Sequence, residues 1–183
     1  MTSLEIMGWY KNNLFSIVVK AIEEKKKDNP NLLYTPDWLI AMAYRETWTI
    51  LIPHIKNRTP FKNIEPKGDY GRRQGELEKQ YHGFGYFQID IGSYPEFVKS
   101  GEWKDPYKCT LKAIEVLEEK RQSIEKSFPN LDNIEQAITA AYNSGQGNVL
   151  KAIKKGADVD TYTHEKNYSK MVWEYRKLFN SLT

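Results

Sequence analysis

Helical periodicity marks both ends of this chain and is absent from its middle, between about residues 49 and 104. There Gly and Pro recur at Pro53, Pro60, Pro66, Gly68, Gly71, Gly75, Gly83, Gly85, Gly92, Pro95 and Gly101, too densely for a long helix to persist. Within that interval only "FGYFQIDI" has the aromatic and β-branched character of a strand. A structureless stretch of this length is unusual inside a compact domain, so the interval is expected to hold short strands and to carry function.

The flanks read as helices. Residues 4 to 27 set Ile6, Tyr10, Leu14, Ile17, Val18 and Ala21 three and four apart and end in "EEKKKDNP", an amphipathic helix with a solvated tail. In "YTPDWLIAMAYRETW", Thr35 suits a cap, Pro36 the first helical position and Asp37 the positive end of the helix dipole, which predicts a helix over about 36 to 48. Asp105 and Pro106 open a third, with Tyr107, Leu111, Ile114, Leu117 and Ile124 as its buried stripe. "LDNIEQAITAAYNSG" carries Leu131, Ile134, Ala137, Ile138 and Ala141 on one side, a short "GNVLKAIKKG" follows, and "EKNYSKMVWEYRKLF" repeats Tyr168, Met171, Val172, Tyr175 and Phe179 at helical spacing. The expected fold class is mainly α (α+β), a helical domain with a small β element inserted after the second helix. At 183 residues the chain is expected to form one compact domain, 1–183, with an N-terminal helix within 1–30.

Charge narrows the partners. Lys and Arg total 27 against 24 Asp and Glu, a formal charge of +3 scattered along the chain rather than gathered into a basic arm, so nucleic acid is not an expected partner. The single cysteine, Cys109, excludes an intrachain disulfide and reads as a small buried hydrophobe on a helix. No run of about 18 apolar residues occurs, so membrane insertion is not expected. The first 30 residues lack a signal-peptide h-region, "LFSIVV" being their longest apolar-rich run. Delivery by phage lysis, specialised secretion or non-classical export is the corresponding expectation, with the location itself left open. His54, His82 and His164 show no metal-ligand spacing, and each reads as a surface or loop residue.

One carboxyl interrupts an apolar stripe. Leu39, Met42, Ala43, Glu46 and Ile50 fall three and four apart, which places Glu46 on the core-facing side of its helix. Burial penalises the charged form of a carboxyl group, and an acid that keeps its proton near neutral pH is suited to protonating a leaving group. A structural ion pair, with Arg45 for example, or an early helix end that leaves Glu46 in solvent are the plainer alternatives. Downstream, Gly83 and Gly85 flank Phe84, and a strand through "FQID" would deliver Gln88 and Asp90 to one face. Glycines here let the backbone approach a ligand or a neighbouring helix closely. The spacing is not a dinucleotide fingerprint.

Together "AMAYRETW", "HGFGYFQID" and "AAYNSGQGNV" resemble, in order and texture, three segments of the goose-type lysozymes and soluble lytic transglycosylases, over roughly residues 35 to 180. The resemblance implies a lysozyme-like fold with Glu46 as general acid. Asp90 resembles an aspartate that goose-type enzymes have and many lytic transglycosylases lack, and Asp69 in "KGDYG" resembles a second one. Gln88, Tyr142 and Asn143 resemble positions around the sugar subsites, Tyr94 stands where a goose-type histidine follows the aspartate, and Tyr168 resembles a cleft-lining tyrosine on the last helix. Thr47 replaces the serine after the acid, and Tyr86 and Phe87 replace a Leu-Met pair, changing the cleft floor. "RRQGELEKQY" is an insertion between Asp69 and His82; its Arg72 and Arg73 either meet an anionic polymer or form a solvated loop, the loop being favoured.

The function implied is cleavage of the β-1,4 bond between N-acetylmuramic acid and N-acetylglucosamine in peptidoglycan. Glu46 would act as acid, with Asp90, Asp69 or both holding a water. The chemistry needs no metal and no cofactor. Lytic transglycosylation, cleavage of chitin or another N-acetylhexosamine polymer, and non-catalytic glycan binding on the same fold are the alternatives.

Overall fold

The computed structural model describes residues 1–182 and resolves the chain into two compact units, Met1–Ala113 joined by the chain from Arg176 onward, and Ile114–Tyr175. Helices α1 (Ser3–Asp28) and α2 (Pro36–Lys56) precede a three-stranded antiparallel sheet, β1 (Lys67–Gly71), β2 (Gln80–Phe84) and β3 (Ile89–Asp90), with β2 in the middle. The short α3 (Pro95–Ser100) leads to α4 (Pro106–Ser127), α5 (Ile134–Ser144), α6 (Gln146–Lys154) and α7 (Tyr168–Asn180). The fold is mainly α with a small β element after the second helix.

In the first unit α1 starts on a capping box: Glu5 N–H donates to Thr2 Oγ1 at 3.2 Å and Thr2 N–H to Glu5 Oε2 at 2.6 Å. Its inward side buries Ile6, Met7, Tyr10, Leu14 and Val18. Against them α2 buries Leu39, Met42, Ala43, Thr47 and Leu51 at three- and four-residue steps. The apolar stripe therefore leaves the expected track after Ala43, turning through Thr47 and Leu51 and leaving Glu46 and Ile50 half-buried along its edge. Thr47 Oγ1 donates to Ala43 O at 2.7 Å, which spends its only proton, so the Tyr10 hydroxyl donates to it, also at 2.7 Å. The residue after the acid thus packs α1 onto α2.

Two helix-end details differ from expectation. Thr35 occupies the N-cap of α2 without a side-chain capping bond, its hydroxyl being engaged by Asp37 instead. Asp37 also accepts from Arg176 Nε at 2.9 Å, and these bonds outweigh burial to hold its carboxyl below the usual range. At the other end α2 runs through Pro53 to Lys56 rather than stopping near 48. Proline removes the bond to the Thr49 carbonyl, but Thr49 is exposed, so water can replace that bond and the helix continues.

"FGYFQIDI" is not one strand. Gly85 at φ 76° reverses the chain after β2, Gln88 N–H donates to Gly85 O at 3.1 Å, and pairing resumes only at Ile89. Beneath the turn lies α4. A Cβ on Gly85 would stand 2.5 Å from Cys109 Sγ and 2.9 Å from the Trp103 carbonyl. Burial, the dominant influence, pushes the Cys109 thiol up to about 12, even though the amides of Phe87 and Tyr86 hydrogen-bond to the sulfur. The turn is thereby seated on the helix core with no room for a side chain.

In the second unit α5 buries Ala137, Ile138, Ala140 and Ala141, and α6 buries Val149 and Ala152. Asp160, fully buried, caps the start of α7 by accepting from Ser169 N at 2.9 Å, Ser169 Oγ at 2.7 Å and Thr163 Oγ1 at 3.1 Å.

Gly85→Ala is expected to lower stability by about 2–4 kcal/mol, combining a disfavoured left-handed backbone with overlap against rigid neighbours. Urea unfolding of the two proteins measures it; a loss below about 1 kcal/mol would show that the turn is not seated as described.

Candidate functional site

The sheet meets α2 at β1, where Ile50 Cδ1 lies beside Gly68. Gly68 and Gly83 face each other in the β1–β2 register, and the Gln88 side chain lies across both. A Cβ on Gly68 would overlap Gln88 Oε1 and come within 3.0 Å of Ile50 Cδ1, and one on Gly83 would stand 2.5 Å from Gln88 Oε1. Gln88 itself sits at φ 48°, a region most side chains avoid, with its Nε2 donating to Gly85 O at 2.8 Å. Ile50 is the α2 residue that reaches this floor, and Glu46 precedes it by four positions, hence on the same side of the helix and about 6 Å along its axis. A half-buried carboxyl therefore stands one turn from a floor of glycine backbone and one amide.

The two expected aspartates are brought to a single cation. Arg73 Nη1 donates to Asp90 Oδ1 at 2.6 Å and Nη2 to Asp69 Oδ2 at 2.7 Å. The other Asp90 oxygen accepts from Ser93 N at 2.9 Å and Ser93 Oγ at 3.0 Å. Burial pulls the Asp90 carboxyl upward, but Arg73 and Ser93 together hold it below the ordinary carboxylate range. Asp69 is exposed and has φ 50°, which turns its carbonyl toward His82.

His82 is buried rather than a surface residue, and both of its ring nitrogens face acceptors: Nδ1 the Asp69 carbonyl at 2.7 Å, Nε2 the Glu76 carboxylate at 2.9 Å. Only the doubly protonated ring satisfies both. The Asp69 carbonyl and then Glu76 raise the His82 pKa, with burial and Arg73 acting the other way. Glu76 accepts from the Arg73 backbone N–H at 2.7 Å and from Gln80 Nε2 at 2.8 Å, and its carboxyl is drawn down to about 2. The segment between β1 and β2 is, as expected, a solvent-exposed loop, and it is tied back to the strands through Arg73 and Glu76.

The remaining expected residues are placed variously. Tyr86 and Phe87 are 1% and 0% exposed, with Tyr86 stacked on Phe61 at 5.5 Å, so they support the floor from below instead of presenting rings to solvent. Tyr94 is half-buried before α3, its N–H donating to Asp90 O at 2.9 Å and Lys112 lying 4.5 Å over its ring. Tyr142, Asn143 and Tyr168 belong to the second unit. There Asn143 Oδ1 accepts from His164 N at 2.9 Å, Tyr142 is half-buried on α5, and Tyr168 is 2% exposed.

Arg73, Glu76 and His82 are what sequence reasoning missed as site residues. Their signal was the β register, since Asp69 lies opposite His82 between the pairs Gly68–Gly83 and Tyr70–Tyr81. No protein-family model and no curated protein matches the chain. Among the described residues no helix is long and apolar enough to cross a membrane, and no group of three or more His, Cys, Asp or Glu could hold a metal ion.

The hairpin should respond to pH from both sides. His82, raised when folded, contributes fully below its ordinary 6.5, and that contribution is lost as pH rises through its folded value. Glu76, lowered when folded, contributes fully above its ordinary 4.5 and is lost as pH falls toward 2. Amide exchange, corrected for its intrinsic pH dependence, should show hairpin protection greatest between those two ordinary values and falling above neutrality. His82→Gln should remove the alkaline fall; a wild-type profile that coincides with that of His82→Gln would contradict the imidazolium.

Proposed function

We propose that this chain is a peptidoglycan-degrading glycosidase of goose-lysozyme type. It would cleave the β-1,4 bond between N-acetylmuramic acid and N-acetylglucosamine, with Glu46 giving its proton to the departing oxygen. The observation that carries this reading is the position of Glu46, half-buried on α2 one turn before the Ile50 contact with the Gly68–Gly83 floor. Glycosidic cleavage needs an acid beside the scissile bond and negative charge near the oxocarbenium-like centre. Gly68 and Gly83 make room for the Gln88 side chain to lie across the strands, and Gln88 offers an amide for hydrogen bonds of the kind an N-acetyl group takes. Asp90 and Asp69 supply the charge and, in the hydrolytic form of the reaction, hold the attacking water.

A second reading follows from Arg73. With one oxygen on Arg73 and the other on Ser93, Asp90 is a weakened base. That favours attack by the 6-hydroxyl of the muramic sugar in place of water, as in lytic transglycosylases, with release of an anhydro sugar. Glu46 serves as acid in both.

Incubation with purified peptidoglycan and, separately, with chitin oligomers, followed by mass spectrometry, tests the reading. Muropeptide products support it, and reducing or anhydro ends decide between water and the 6-hydroxyl. Release from chitin alone would reassign the substrate. Glu46→Gln is expected to fold normally and to lose about 10²–10⁴-fold in turnover. An unchanged rate would remove Glu46 from the mechanism, and glycan binding without turnover in the wild type would make the chain a binding protein.

A further inference from the structure

We infer that Arg73 is a positioning residue, carried in by the β1–β2 hairpin to hold Asp69 and Asp90 as one fixed pair of carboxylates for the cleavage proposed above, a role that rests on that reading. Asp69 lies in β1 and Asp90 in β3, the two outer strands of the sheet, and the guanidinium spans them with a different nitrogen on each. A planar fork can do this; a lysine ammonium is a single point and lacks the fork. Room for the contact comes from Gly92, where a Cβ would stand 3.0 Å from Asp90 Oδ2 and 3.3 Å from Arg73 Nη1.

The fork is itself held. Glu76 takes the Arg73 backbone N–H, His82 takes Glu76, and the other His82 nitrogen returns to the Asp69 carbonyl. The charged groups around the pair are therefore Arg73 between the carboxylates, Glu76 on the Arg73 backbone, and His82, whose Nδ1 is 3.7 Å from Asp69 Oδ2. Two carboxylates drawn together favour protonation of one of them unless a cation lies between. Arg73 lies between them, and its two nitrogens fix the carboxylates where a developing oxocarbenium centre needs negative charge. Its ion pairs are open to solvent, with 45% of the Arg73 side chain exposed, so their stabilising effect is small and their role is to set where the two carboxylates lie.

The experiment compares wild type, Arg73→Lys and Arg73→Met in thermal unfolding, in the pH dependence of kcat/KM on peptidoglycan, and in the NMR titration of the Asp90 carboxyl carbon. Arg73→Met is expected to stay folded while the Asp90 titration and the acid limb of kcat/KM both move to higher pH. Arg73→Lys should recover part of both shifts. An active wild type whose acid limb and Asp90 titration are unmoved in Arg73→Met overturns this role and leaves the proposed function standing. A wild type that cleaves no peptidoglycan overturns the proposed function and this role with it.

Discussion

The packing of the Gln88 side chain across Gly68 and Gly83 is the constraint that sets how the sheet of the first unit meets α2. Neither position has room for a Cβ, because the Gln88 amide fills the space above both. That contact holds a glutamine in a left-handed backbone conformation, and the local cost is offset by its bond to Gly85 O and by the seating of the turn on Cys109. It also leaves α2 able to approach the sheet through Ile50, which sets where Glu46 lies. A larger residue at Gly68 would disturb the floor, the amide and the helix contact together.

Electrostatics add a second layer to this packing. The hairpin between β1 and β2 contains a chain of charge-assisted bonds from His82 through Glu76 and Arg73 to Asp69 and Asp90. Individually the exposed Arg73 pairs stabilise little. Their shared effect is on geometry and protonation: an imidazolium faces a carboxylate, and a guanidinium faces two. The exposed loop between β1 and β2 is thus the element that ties the two aspartates together.

Much of the fold was legible in the sequence because helices announce themselves by period. The α1 stripe, the Pro36 start of α2 and the Asp105–Pro106 opening of α4 all follow from spacing and capping chemistry. Where the reading failed, the deciding contact was distant or lay in backbone conformation. Pro53 does not end α2, because the orphaned carbonyl belongs to an exposed residue. "FGYFQID" looked like one strand, yet positive φ at Gly85 and Gln88 breaks it, so Gln88 and Asp90 do not share a face by alternation. Glu46 is partly buried as its spacing implies, although the stripe itself turns through Thr47, where Tyr10 of α1 bonds. His82 and Arg73 could be understood only through the strand register, which brings residues 13 and 17 positions from Asp69 and Asp90, respectively, into contact.

The proposed function requires Glu46 and the floor at Gly68, Gly83 and Gln88 to belong to one sugar-binding surface. Backbone amide shifts of the Glu46→Gln protein, recorded during titration with N-acetylglucosamine oligomers and then soluble muropeptides, test this. Saturable shifts centred on residues 46, 50, 68, 83 and 88 are expected. Saturable shifts confined to other parts of the chain, or none with either ligand, would contradict it.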